Sequence, residues 1–391
     1  MSKITITKDR MREILSSFME ERRVAAPVAD GKAIDFQEVD DVSRILMGDE
    51  IPYKSPKEFF FPRCEKIITF KGDEAVAEMP EKGLVLFGAR PCDLEALKIM
   101  TAVFTTGKFE DPFFKARLDA SLVIGAACLE KKPGCFCELR ETDMRYSESC
   151  DLFLENRGDE YEALYVSEKG REALGGLIPG LDGFEGPGGG RKASAAQAAE
   201  GESGEGAPAE GGTVEGAPAE GGTVEGGTAE GGPAEGGTAE GGTVGMPVYG
   251  ETLLPESAAA RTLSLENAGL EMFDRVDWAG IAETCQGCGL CTYICPTCHC
   301  FVFKDAMDGG EACRYRNWDS CMFPKFTLHA SGHNPRASVR ERYRQRVLHK
   351  YSYVKENFGY VACTGCGRCV RSCPAGMDIK AIVEGIMEEL G

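Results

Sequence analysis

The chain has 391 residues, a hydrophobic fraction of 42% and a formal net charge of −19. That length allows two or three domains, each with its own core. No run approaches the roughly 20 apolar residues of a membrane span, and so acidic a chain lacks the cationic face that nucleic-acid binding needs. Met1 to Lys8 carries no apolar signal core, so a cytoplasmic location is expected. In that reducing compartment 18 cysteines point to metal or redox chemistry rather than disulfides.

Residues 1 to about 180 have the pattern of an α/β domain. Met11, Ile14, Leu15 and Met19 recur at helical spacing within Arg10–Glu21. A shorter helix is expected over Val39–Leu46. Phe59–Pro62 reads as a buried edge and Lys66–Phe70 as a strand. Gly83–Gly88 and Ser121–Ala127 are short apolar runs suited to buried parallel strands. Asp93 is the expected N-cap of a helix over Leu94–Phe104, with Glu95 in its first turn. Cys92 and Cys128 therefore follow two strands at their carboxyl ends, where open α/β sheets bind ligands. Cys135-Phe136-Cys137 lies close behind, then Cys150.

From about residue 183 the chain is of low complexity. From Glu205 it repeats acidic pentads of the kind EGAPA and EGGTV, with no Lys or Arg. Such pentads hold too little apolar surface to offset ordering entropy, so a disordered, extended linker is expected over residues 183–246. A period of five is too short for a solenoid unit.

The third segment, residues 247–391, opens on an expected amphipathic helix over Pro255–Met272 and closes on one over Asp378–Leu390. Between them stand Cys285-Gln286-Gly287-Cys288-Gly289-Leu290-Cys291-Thr292-Tyr293-Ile294-Cys295-Pro296 and Cys363-Thr364-Gly365-Cys366-Gly367-Arg368-Cys369-Val370-Arg371-Ser372-Cys373-Pro374. Each is C-x2-C-x2-C-x3-C-P, the spacing of [4Fe–4S] ligation in bacterial ferredoxins. In two-cluster ferredoxins the fourth cysteine of each run serves the other cluster. One centre is then expected on Cys285, Cys288, Cys291 and Cys373, and the other on Cys363, Cys366, Cys369 and Cys295.

Competing readings are weaker. Zinc ribbons use two C-x2-C pairs, not two runs of four cysteines ending in proline. Cys295-Pro296-Thr297-Cys298-His299 fits the c-type haem signal, but Cys295 already belongs to the stronger run. Cys92, Cys128, Cys135 and Cys137 are expected to hold a third iron–sulfur cluster. Cys298, Cys300 and Cys321 could form another metal site, while Cys64, Cys150 and Cys313 read as structural thiols. The basic stretch Asn334–Lys350 has three readings: it neutralises clusters, docks an acidic partner, or is a solvated helix face. Trp318 reads as core, and no histidine is assigned a catalytic role. No phosphate loop, dinucleotide fingerprint or nucleophile elbow is present, so no catalytic residue is expected in this chain.

Cys295–Phe301, Trp318–Phe326, Gly332–Arg336, Arg342–Arg346 with His349-Lys350, the second cysteine run, Gly88–Asp93 and Cys135–Cys137 together resemble the iron–sulfur beta subunits of sulfhydrogenases and the A subunits of anaerobic sulfite reductases. The resemblance spans nearly the whole chain apart from the pentads. His299 departs from it, standing where an aromatic such as Tyr is usual. An α+β chain is expected, with an N-terminal α/β domain (1–182) and the linker (183–246), an insertion unusual for the family, before the two-[4Fe–4S] domain (247–391), which the resemblance implies is helical and ferredoxin-like. The resemblance also implies electron transfer in an anaerobic complex with a flavin subunit that binds NAD(P)H. The terminal subunit would be a hydrogenase, a sirohaem sulfite reductase or a heterodisulfide reductase. The alternative from another class is a structural or zinc-binding scaffold.

Overall fold

The computed structural model describes residues 4–31, 33–178 and 269–390. The pentad repeats and nearly all of the expected helix Pro255–Met272 lie outside the described residues. Strands β1 (Ile4–Thr7), β2 (Arg23–Asp30), β3 (Ala33–Val39), β4 (Cys64–Lys71), β5 (Glu74–Ala77), β6 (Leu84–Ala89), β7 (Leu122–Ala126), β8 (Leu152–Asn156) and β9 (Glu160–Tyr165) come from the first half. The second half adds β10 (Phe301–Asp308) and β11 (Glu311–Trp318).

Seven strands form the first sheet in the order β1-β9-β8-β7-β6-β2-β3. Its centre, β2-β6-β7-β8, is parallel and its margins are antiparallel. Every residue of β6 and β7 is buried, as expected of strands covered on both faces. One face is covered by the helix Lys8–Phe18, which Thr7 caps and which buries Met11, Ile14 and Leu15. The other carries the helix Pro91–Thr105, whose Leu94, Met100 and Phe104 pack with Phe60, Phe61 and Phe114.

Three local expectations change. Val39–Leu46 is not a helix: Val39 ends β3 opposite Val24, only Val42–Arg44 turns, and Ile45 bridges to Val28. Pairing with β2 satisfies the backbone there, and a short apolar run carries no helical preference strong enough to oppose it. Asp93 is not an N-cap: Arg90 holds that position, Pro91 begins the helix, and Asp93 is buried in its first turn. Phe59–Pro62 is no strand edge, because Lys57–Phe60 makes a helical turn with Phe60 and Phe61 fully buried.

The second sheet joins the two halves. Its order is β10-β11-β4-β5, all antiparallel, so a hairpin from between the cysteine runs pairs with two N-terminal strands. Gly309 and Gly310, both at positive φ, make the two-residue turn that reverses this hairpin. Arg316 of β11 lies 2% exposed beneath it. Its Nε donates to Glu65 of β4 at 2.6 Å, and it also pairs with Asp111. Arg117 holds the other Glu65 oxygen at 2.5 Å. Trp318 packs on Phe61 at 5.9 Å and donates its indole N–H to the Phe61 carbonyl at 3.0 Å. The reading of Trp318 as a packing residue agrees with these contacts.

Removing one member of a buried ion network leaves its partners uncompensated. Arg316→Leu is expected to cost about 3–5 kcal/mol of unfolding free energy. Denaturant titration under anaerobic conditions checks it, and a loss below about 1 kcal/mol would show that the joint between the halves does not depend on this ion pair.

Candidate metal centre

Both cysteine runs share one backbone shape. Gly287 and Gly289 in the first, and Gly365 and Gly367 in the second, sit at φ between +64° and +77°. Each run then enters a one-turn helix, Leu290–Tyr293 or Arg368–Arg371. Glycine is required because a left-handed residue with a Cβ is strained. The loop so formed turns its cysteines toward one side.

Cys285, Cys288, Cys291 and Cys373 line a single small cavity, together with Cys369, Tyr343 and Arg346. The last cysteine of the second run thus lies in the wall of the first run's cavity. Around the second run, burial raises the Cys366 and Cys369 thiols, and the negative charges of Cys295 and Cys363 raise them further. Cys288 is exposed, whereas Cys295 is buried.

The basic stretch is not a solvated face. The helix Val339–Leu348 starts at a capping box of Ser338 and Glu341. Its Arg342 and Arg346 are buried at i and i+4, and Lys350 follows one turn later in a π-helical segment, His349–Tyr353. Lys350 Nζ donates to Cys295 Sγ at 3.1 Å, Thr297 Oγ1 at 3.0 Å and the Ala362 carbonyl at 3.0 Å. Among the described residues no carboxylate pairs with Arg346 or Lys350. Arg346 Nε and the Tyr343 hydroxyl, both of residues lining the cavity, have no hydrogen-bond partner. Buried cations and orphan donors facing sulfur fit an anionic occupant that accepts hydrogen bonds, as a thiolate-bound iron–sulfur cluster does. Neutral thiols would leave these charges without a counterion.

The N-terminal cysteines pack directly against the second run. Phe136 N–H donates to the Gly365 carbonyl at 2.8 Å, and Cys135 Sγ to the Cys366 carbonyl at 3.3 Å. Arg371 reaches Cys135 Sγ at 3.3 Å and the Pro133 carbonyl at 2.9 Å. Arg368 forks onto both oxygens of Asp93, beside Cys92, at 2.6 and 3.1 Å; both side chains are fully buried. Burial pushes the Cys137 thiol up to about 11, with Glu138, Cys135 and Cys128 adding to it. Burial likewise raises Cys92 and Cys128, and the charge of Cys135 acts on both. The four cysteines therefore share one neighbourhood at the carboxyl ends of β6 and β7.

The remaining cysteines behave differently. A hydrogen bond from Cys321 lowers Cys300 to about 7, and Cys298 likewise lowers Cys295. Among the described residues no three of His, Cys, Asp and Glu are placed to hold a single metal ion, either at Cys298, Cys300 and Cys321 or at the other cysteines. Cys150 and Cys313 are buried thiols, and Cys64 is exposed on β4. His299 and His349 stack at 5.3 Å, and burial lowers them to about 4 and about 3. The sequence reading missed the Asp93–Arg368 pair and left the role of Lys350 open. The i, i+4 spacing of Arg342 and Arg346 was the available signal.

A Cβ on Gly365 would stand 2.6 Å from the Phe136 carbonyl oxygen and the Cys137 nitrogen. Gly365→Ala is therefore expected to loosen the Cys135–Cys137 loop by at least about 1.4 kcal/mol, one decade in the opening equilibrium. Hydrogen exchange at the Phe136 amide should accelerate about tenfold; an unchanged rate would show that the loop is not held by this contact.

A family model described as "4Fe-4S dicluster domain" matches residues 284–377, which contain both cysteine runs. The sulfhydrogenase 2 subunit beta of Pyrococcus furiosus is 25% identical over 396 residues, covering 100% of each chain. No solved structure matches. Among the described residues, no helix is long and apolar enough to cross a membrane. The resemblance drawn from the motifs agrees with these findings: the chain is similar over its full length to a sulfhydrogenase beta subunit, and a 4Fe–4S dicluster domain lies in its second half.

Proposed function

We propose that the chain is a linear relay of three iron–sulfur centres in a cytoplasmic, anaerobic oxidoreductase complex. The observation that carries this reading is the burial of Arg346 and Lys350 against cysteine sulfur with no carboxylate among the described residues to balance them. Bound clusters would supply one-electron carriers, and the chain's residues hold, order and insulate them. Cys285, Cys288, Cys291 and Cys373 would hold one cluster. Cys363, Cys366, Cys369 and Cys295 would hold the second. Cys92, Cys128, Cys135 and Cys137 would hold the third.

The order follows from the packing. The Cys135–Cys137 loop touches Gly365 and Cys366, whereas Cys369 and Cys373 border the cavity of the first run. The Cys363–Cys369 centre would then stand between the other two. Exposed Cys288 and the exposed stretch Lys131–Gly134 mark the two ends, where partners would exchange electrons. One partner would be a flavin subunit that binds NAD(P)H. The other would be the terminal enzyme; the name of the Pyrococcus furiosus relative supports a hydrogenase ahead of a sirohaem sulfite reductase or a heterodisulfide reductase.

Anaerobic iron quantification with EPR after dithionite reduction tests the relay. About twelve iron atoms are expected per chain, and about eight would remove the third centre. Cys135→Ser with Cys137→Ser should lose about four of them and leave the rest. Zinc in place of iron, with no EPR signal, would favour a structural scaffold and sink the relay.

A further inference from the structure

The two ferredoxin-type centres share a fold of run but not an electrostatic setting. In the first cavity the buried cation is Arg346, and the Met377 amide donates to Cys373 Sγ at 3.3 Å. Arg346 acts more on Cys291 of the first run than on Cys369 of the second, so its charge falls mainly on the first centre. At the second centre Arg368 lies near Cys366, but the bidentate contact with Asp93 neutralises it. Lys350, like Arg346, has no carboxylate partner among the described residues, and it contacts a cysteine sulfur of the second centre directly. Its ammonium is 3% exposed and fixed by three acceptors, one of which is Cys295 Sγ. The Lys350 carbonyl also accepts from the Ala362 amide at 2.7 Å, so the chain beside Cys363 locks the lysine at both ends. Lys350 sits in the π-helical turn His349–Tyr353 that follows Arg346.

We propose that Lys350 is a positioning residue that sets the reduction potential of the centre held by Cys295, Cys363, Cys366 and Cys369 above that of the centre held by Cys285, Cys288, Cys291 and Cys373, so that an electron entering through the latter comes to rest on the former. This rests on the relay reading above. The physical basis is that a cluster gains one negative charge on reduction, and a fixed cation hydrogen-bonded to a ligand sulfur stabilises the reduced state more than the oxidised one. Burial keeps solvent and salt from screening that difference. A centre so tuned holds one electron until the second partner is ready, which suits a chain that joins a two-electron flavin to a separate terminal site.

The test is an EPR-monitored redox titration of the full chain, purified anaerobically, with iron content measured on each sample. In wild type the two centres should titrate apart. Lys350→Met should lower only the higher potential, reducing the ratio of reduced to oxidised centre at a fixed poise at least tenfold, which is about 59 mV for a one-electron couple. Lys350→Arg, which keeps the charge, should restore it. Wild-type iron with both potentials unmoved, or with the lower one moved instead, overturns the assignment. If Lys350→Met binds no iron, Lys350→Gln replaces it, with the same expectation. Loss of iron in both neutral variants but not in Lys350→Arg also overturns it, since Lys350 would then serve assembly and not potential. Absence of iron from the wild type would instead sink the relay reading itself.

Discussion

Positive charge buried against sulfur is the constraint on which the second half of this protein is built. Withdrawing an ammonium or a guanidinium from water costs several kcal/mol unless an anion meets it. Lys350 meets Cys295, while Arg346 faces the cavity lined by Cys285, Cys291 and Cys369 with its Nε unpartnered. The helix Val339–Leu348 is satisfactory only if those sulfurs carry negative charge, and the sulfurs converge only if that helix backs them. Charge and sulfur are therefore mutually required, and Cys373 in the wall of the first run's cavity brings together segments nearly seventy residues apart.

The first half serves that unit by position. A parallel sheet core places Cys92 and Cys128 at adjacent strand ends, and the loop after β7 lays Cys135 and Cys137 on the second run. Two buried polar joints fasten the halves: Arg368 on Asp93, and Arg316 on Glu65 and Asp111. Each lies where apolar packing alone would not fix register. Asp93 illustrates the trade: a carboxylate suited to capping its helix is instead committed to an arginine of the second cysteine run.

The elements that could be read from the linear chain are those whose apolar pattern is self-sufficient. Lys8–Phe18, β6, β7 and Ile379–Leu390 match expectation within a few residues, because their periods follow from burial on one stripe or on both faces. Val39–Leu46 was misread, since its few apolar residues fit either period and pairing with β2 decides the matter. The hairpin of β10 and β11 carried a usable signal in Asp308-Gly309-Gly310-Glu311, a two-glycine turn between pairing segments. It was masked by the chemistry of the cysteines on either side.

The cysteine spacing alone was enough to indicate the class of cofactor, and it led to the expectation that Cys295 and Cys373 exchange between the runs. These follow from local chemistry: four thiolates at fixed intervals, with glycines free to take positive φ, can wrap a cluster in only a few ways. Which face of the basic stretch is buried, and that a hairpin from the cluster region completes an N-terminal sheet, are questions of another kind. They depend on contacts across hundreds of residues, and neither the spacing nor the composition of a single segment carries that information. Folding settles them because an uncompensated buried charge and an unpaired strand edge are both costly, and one arrangement of the two halves satisfies both at once.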